Sequence, residues 1–196
     1  HNGGEYYGGQ GSGTSSWAPI MGAGYGRNIK QWSNGDYALA TASWQDDLAV
    51  ITNNNNGVDY RTDDVGDTLG AAAYLNIASG GTVTNQQGII STRGEVDAFR
   101  FKTSGGSVNL NVVTSYAPNL DIYAELVNAS TGVPVATTNA ADPEVNVTLS
   151  TSVAAGEYLL KITGTGYLTP ADNSGYSNYA SLGSYRIDGT VAGGES

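Results

Sequence analysis

From residue 88 onward the chain runs in short segments that alternate apolar and polar positions. Val108, Leu110 and Val112 alternate with Asn109, Asn111 and Val113, while Ile122, Ala124 and Leu126 alternate with Tyr123, Glu125 and Val127. In 96–102, Val96, Ala98 and Arg100 fall opposite Asp97, Phe99 and Phe101. A period of two sends successive side chains to opposite faces of a strand. Such runs occupy 88–91, 96–102, 107–114, 120–127, 133–137, 145–149, 156–163 and 185–191, with turn chemistry at 104–106, 117–119, 130–132 and 154–156. No helical period separates them and no solenoid-type repeat is visible. The reading is mainly β: an antiparallel, jelly-roll-like β-sandwich over 58–196.

Residues 1–57 follow a different code. Glycines at 8, 9, 11, 13, 22, 24 and 26 surround the apolar cluster Trp17-Ala18-Pro19-Ile20-Met21, which predicts a fixed tight turn in an otherwise irregular arm. Apolar residues at 44, 48 and 51 are spaced for a helix, predicted over 43–52 with Ser43 as its cap and Asp46 and Asp47 in its first turn. The run Asn53 to Gly57 then breaks the pattern. An arm of this size is marginal alone and is expected to lie on its own sandwich, on another chain, or on a further part of its parent.

Composition narrows the chemistry. The net charge of −10 and the absence of a Lys/Arg cluster argue against nucleic acid and anionic membrane surfaces. No run of about 18 apolar residues exists to span a bilayer. Cysteine is absent, which excludes disulfides, a thiol nucleophile and Cys-ligated zinc, and suits a secreted bacterial protein. The chain starts at His1, and the expectation is a processed or trimmed piece of something longer. Asp63, Asp64 and Asp67, close together in sequence, make calcium the metal to expect, because calcium takes oxygen ligands and offsets their repulsion.

Two stretches resemble known families. YYGGQGSGTSSWAPIMGAGYGRNIKQWSNGDY followed by QDDLAVI resembles the segment after the zinc motif in secreted bacterial metzincin-like metallopeptidases. The resemblance makes Pro19, Met21 and Tyr25 the Met-turn beneath a catalytic zinc, with Tyr25 four residues after the methionine rather than the more usual two. Residues 61–192 resemble the bacterial pre-peptidase C-terminal domain, a β-sandwich appended to secreted peptidases. The signals there are DDVGDT, GEVDAFRF, NLDIYAELVNASTG, AAGEYLLKITG and GSYRIDGTV, in that order. That likeness implies calcium where the acidic loop meets the GEVDAF strand, and adds Glu95 and Asp97 to the ligand set.

A metzincin needs two histidines on one helical turn with a glutamate as general base, and a third ligand beyond. This chain has one histidine in total, so His1 is at most a former zinc ligand and no peptidase activity or zinc is expected of the chain. Tyr167, Tyr176 and Tyr179 lie in a long loop and are candidates for a binding surface, against sheet packing as the plainer role of tyrosine. Three functions follow as expectations. One is a non-catalytic C-terminal fragment of a secreted metallopeptidase whose sandwich binds a protein or glycan surface. The second is a processed subunit of an extracellular fibre or matrix, pairing with copies of itself. The third is an active zinc peptidase only where a separate half supplies the HExxH helix.

Overall fold

The computed structural model of the chain describes residues 6–38, 40, 45–53, 55–115, 119–140 and 144–195. In the arm, β1 (Trp17–Pro19) runs parallel to β2 (Ile29–Gln31), with Trp17 opposite Ile29, and α1 (Asp47–Ile51) follows. The strands β3 (Ala73–Tyr74), β4 (Ile77–Ala78), β5 (Thr82–Ile90), β6 (Val96–Thr103), β7 (Gly106–Thr114) and β8 (Ile122–Asn128) come next. They are followed by β9 (Pro134–Asn139), β10 (Val147–Val153), β11 (Gly156–Gly164), β12 (Gly183–Val191) and β13 (Gly194–Glu195).

These strands form two sheets. One runs in the order β10-β7-β12-β5-β4, the other β13-β6-β11-β8-β9, with β3 added alongside β6. From β5 on, only β8 and β9 are joined as hairpin neighbours, and every other connection crosses between the sheets. The fold is the expected antiparallel β-sandwich, with the parallel β3–β6 pair as an addition at one edge. Its core is the inward set of the alternation: Phe99 and Phe101, Val108, Leu110 and Val112, Ile122, Ala124 and Leu126, Leu160 and Ile162, Tyr185 and Ile187. Burying one such Leu, Ile or Phe side chain contributes about 1.5–3 kcal/mol, which is why the two-residue period fixes the register.

The arm departs from its reading in three places. Its apolar cluster is not itself the turn: Trp17, Ala18 and Pro19 form a buried strand, and the bend comes after it, where Gly22 N–H donates to Pro19 O at 2.8 Å. Trp17 fills the inward position, so Met21 is left 55% exposed and Tyr25 93% exposed, and neither packs the arm. The helix is shorter than predicted because Asp46 caps it, its carboxylate accepting from Ala49 N at 2.8 Å; Ser43, the predicted cap, and Trp44 lie outside the described residues. His1 lies outside them as well. The glycine tract is held by a single side chain. The Arg27 guanidinium donates to the carbonyls of Gly8, Gly9 and Gly11, satisfying acceptors that no ladder reaches.

The arm lies on its own sandwich. Trp17 and Ile29 pack with Val145 and Tyr176, and Leu48 packs with Tyr179 and Ala180. Two buried glutamines bridge the parts. Gln10 Nε2 donates to Pro170 O at 3.0 Å and to Gly175 O, while its Oε1 accepts from the Tyr7 hydroxyl at 2.7 Å. Gln31 Nε2 donates to Asn119 O at 2.5 Å while its Oε1 accepts from Trp17 Nε1 at 2.8 Å. The Tyr179 hydroxyl accepts from Leu48 N at 2.8 Å and donates to the Asp46 carboxylate, tying α1 to the loop that precedes β12.

Candidate metal centre

Four of the five predicted ligands converge. One oxygen from each of Asp63, Asp64, Glu95 and Asp97 lies within 4.8 Å of one from every other. Asp67 does not join them and stands on the rim of the same pocket. The gathering follows from local chemistry. Asp63 Oδ1 accepts from Val65 N at 3.0 Å, a tight polar turn that points buried Val65 into the core. Asp64 Oδ1 accepts from Ile89 N in β5 at 3.2 Å, and Gly66 O accepts from Ala98 N in β6 at 3.2 Å. The acidic loop is therefore stapled to one strand of each sheet.

Glu95 is held by the turn joining β5 to β6. Its Oε2 accepts from the backbone N–H groups of Ser91 and Thr92 at 2.9 and 2.6 Å and from their hydroxyls at 2.7 and 3.0 Å. Asp97 is fully buried, and its Oδ2 accepts from the Tyr185 hydroxyl at 2.5 Å. Gly88 makes room for that bond: a Cβ there would sit 2.2 Å from the Tyr185 hydroxyl oxygen and 2.8 Å from Asp97 Oδ2. Burial pushes the Asp97 carboxyl up to about 7; the Tyr185 donation opposes this, and the charges of Asp64, Glu95 and Asp63 add to it. Burial beside that carboxylate raises the Tyr185 phenol as well.

Glu95 Oε1 and Asp97 Oδ1 are buried without any donor. Buried acceptors normally find one, and an unpaired one costs about 1–3 kcal/mol. Four carboxylates crowded together with two such oxygens match the hard, oxygen-only donor set that calcium takes. Ser91, Thr92, Gly88 and Tyr185 were not assigned to this site from sequence. Ser91 and Thr92 sit four and three residues before Glu95, the spacing of a side chain reaching back to a turn, and that signal was available.

A second buried carboxylate went unread. Asp121 Oδ2 accepts from the Tyr176 hydroxyl at 3.0 Å, its Oδ1 has no donor, and burial pushes it up to about 7 against the Tyr176 donation. This bond also settles the tyrosine loop. Tyr176 and Tyr179 are 2% and 5% exposed, so their rings pack and cannot offer a surface; Tyr167 is half-buried, its ring tilted by 42° against that of Tyr176 at 6.0 Å between centres. Met21, Pro19, Tyr7, Tyr37 and Asp47 line a small pocket in the arm.

The class of molecule is thus a two-sheet antiparallel β-sandwich with a four-carboxylate centre between its sheets and an arm docked at its side. No family model and no curated protein matches the chain. Among solved structures it is similar to the pre-peptidase C-terminal domain of a collagenase from Bacillus anthracis, with 17% identity, a TM-score of 0.39, and coverage of 53% of this chain and 85% of that one. Among the described residues no helix is long and apolar enough to cross a membrane.

Proposed function

We propose that the chain is a non-catalytic accessory module of a secreted metallopeptidase, a β-sandwich held by calcium that presents a surface to substrate or partner. The observation that carries the calcium part is the pair of buried, donorless oxygens on Glu95 and Asp97 within the four-carboxylate cluster. The peptidase origin is supported by the sequence likenesses on both sides of residue 57, and the missing HExxH supports a chain without proteolysis of its own. Asp63, Asp64, Glu95 and Asp97 would hold the ion, and the ion would supply the positive charge that the cluster lacks.

Since the carboxylates come from a loop stapled to both sheets, from the β5–β6 turn and from β6 itself, the ion would act as a clamp on the sandwich. A ligand that binds only the folded state at a hundredfold excess over its Kd stabilises by about 2.7 kcal/mol. For a chain of this size that corresponds to a rise in Tm of roughly 5–10 °C. Calorimetric titration should show one calcium per chain, and EDTA should reverse the thermal shift. Absence of both would sink the calcium assignment, and casein cleavage by the purified chain would sink the non-catalytic one. The fibre-subunit alternative relied on an arm seeking a neighbour; the contacts of Gln10, Gln31 and Tyr179 meet that need within one chain.

A further inference from the structure

An edge strand leaves backbone groups without a neighbour, because alternate residues point their N–H and C=O away from the ladder. The first sheet ends on β4 at one side and on β10 at the other. The β4 side is blunted. β4 is two residues long, Asp64 takes the Ile89 N–H of β5, and the β5–β12 register shifts where Asn85 stands at φ 51°.

β10 has none of these guards. Its seven residues pair with β7 in unbroken register, and among the described residues its backbone makes no hydrogen bond to anything else. It holds no proline, and no residue between Glu144 and Glu157 is charged. Thr148 and Ser150 fold their hydroxyls back onto Asn111 and Asn109 of β7, which keeps the edge clear. Exposed edges are normally protected by a charge, a proline, a bulge or short length, and one without them is an open template for another strand.

The sequence of the edge selects the strand that fits it. Val-Thr-Leu-Ser-Thr-Ser-Val, 147–153, reads nearly the same from both ends about Ser150. An antiparallel neighbour related by a two-fold axis at Ser150 sets Val147 against Val153, Thr148 against Ser152, and Ser150 against itself. Only Leu149 meets an unlike residue, Thr151. Matched apolar pairs and hydroxyl pairs of this kind stabilise antiparallel ladders.

We propose that β10 is the contact edge of a two-fold dimer of this chain, in which β10 of a second copy extends the first sheet across the axis. Exposed Val133 and Val135 lie at the same end, where β9 touches β10, and add apolar surface beside the new ladder. The contact is isologous and closes at two copies, so it builds no fibre. Each copy carries a net charge of −10, and Glu144 and Glu157 bracket the uncharged run, so repulsion opposes the pairing and salt relieves it. The dimer stands apart from the calcium reading, since β10 shares no residue with that centre.

The test is sedimentation equilibrium of the intact chain from about 10 µM to about 1 mM, where the mass should rise toward twice that of the monomer. Association should be about tenfold tighter in about 1 M salt than in about 50 mM. Hydrogen exchange in 147–153 should slow with concentration while exchange in β4 does not. Ser150→Glu and Ser150→Lys, changes at an exposed side chain, each set like charges face to face and should each stay monomeric. Mixed one to one, the two variants should associate again. A parent chain that stays monomeric at the highest concentration in high salt overturns the proposal and leaves the edge to a strand of another protein. Association that survives in both variants overturns β10 as the contact, as does exchange that slows elsewhere than 147–153, a reading made on the parent alone and independent of how the variants fold. Association lost in both variants and not restored by mixing overturns the two-fold register about Ser150.

Discussion

Asp97 and Asp121 are buried carboxylates that each accept a tyrosine hydroxyl and each keep one oxygen without a donor. Both are pushed up to about 7, chiefly by burial. What separates them is company. Asp97 has three further carboxylates in reach of a shared ion, whereas burial is the sole influence raising Asp121. A buried acid among acids is relieved by a cation, and a solitary one is relieved by a proton. The same local element, an aspartate under a tyrosine, is therefore a metal ligand in one place under the proposed calcium reading and a plain packing device in the other.

The sharpest way to break this comparison is at Gly88. Gly88→Ala forces a methyl group onto the Tyr185 hydroxyl and the Asp97 carboxylate, and should cost about 3 kcal/mol by overpacking and by unpairing that bond. Chemical denaturation reads the loss, and the calcium-induced rise in Tm should shrink with it. A variant as stable as the parent would mean that Tyr185 does not hold Asp97 in place.

Next in size is the ion itself. Asp97→Asn should abolish the rise of roughly 5–10 °C expected from calcium, while Asp121→Asn should leave it whole. Equal responses from the two variants would erase the distinction drawn between the sites.

A smaller effect tests the arm. Tyr179→Phe removes the acceptor for Leu48 N–H and the donor to Asp46, and should cost about 1–2 kcal/mol. Because α1 is what the hydroxyl holds, hydrogen exchange should quicken in Asp47–Ile51 more than in β6 or β11. Uniform quickening would show that arm and sandwich open as one unit.

The last test is the pH signature of Asp121. Its folded pKa is raised, so the folded state holds the proton more tightly than the unfolded chain does. Its penalty is absent below the unfolded value near 3.8, grows as pH rises, and is complete above about 7. Asp121→Asn should therefore stabilise clearly at pH 8 and far less at pH 4, since the amide keeps the Tyr176 bond without a charge. Thermal melts at the two pH values decide it. A gain of equal size at both would assign the benefit to something other than ionisation.

How much of this could be read from the chain depended on whether a residue's partners were near in sequence. Strands such as β7 declare themselves, because Val108, Leu110 and Val112 alternate with asparagines and each face carries its own signal. The first half of β5, Thr82 to Gln87, does not: only Val83 there is buried, and its polar residues look like loop. The acidic ligands were legible as a cluster in 63–67 and a likeness at 95–97. Asp121 was not, since a lone aspartate at a strand entrance is ordinary until Tyr176 is folded over it. Gln10 and Gln31 were equally silent, being polar residues whose burial is decided by carbonyls far along the chain. Met21 failed in the other direction: an apolar residue in an apolar cluster is expected inside, and the bend after Pro19 turns it out.

The arm's attachments have a consequence in time. Tyr7 binds Asn173, Gln10 binds Pro170 and Gln31 binds Asn119, contacts that span 166, 160 and 88 positions. As a chain emerges from one end, these partners arrive long after the arm, Pro170 and Asn173 near the close, so residues 7–31 must wait while the strands behind them assemble. The crossings between sheets lengthen that wait, because non-local pairings form slowly. Throughout it the Trp17 and Ile29 side chains are uncovered, and that interval is when the molecule is most open to a protease or a chaperone.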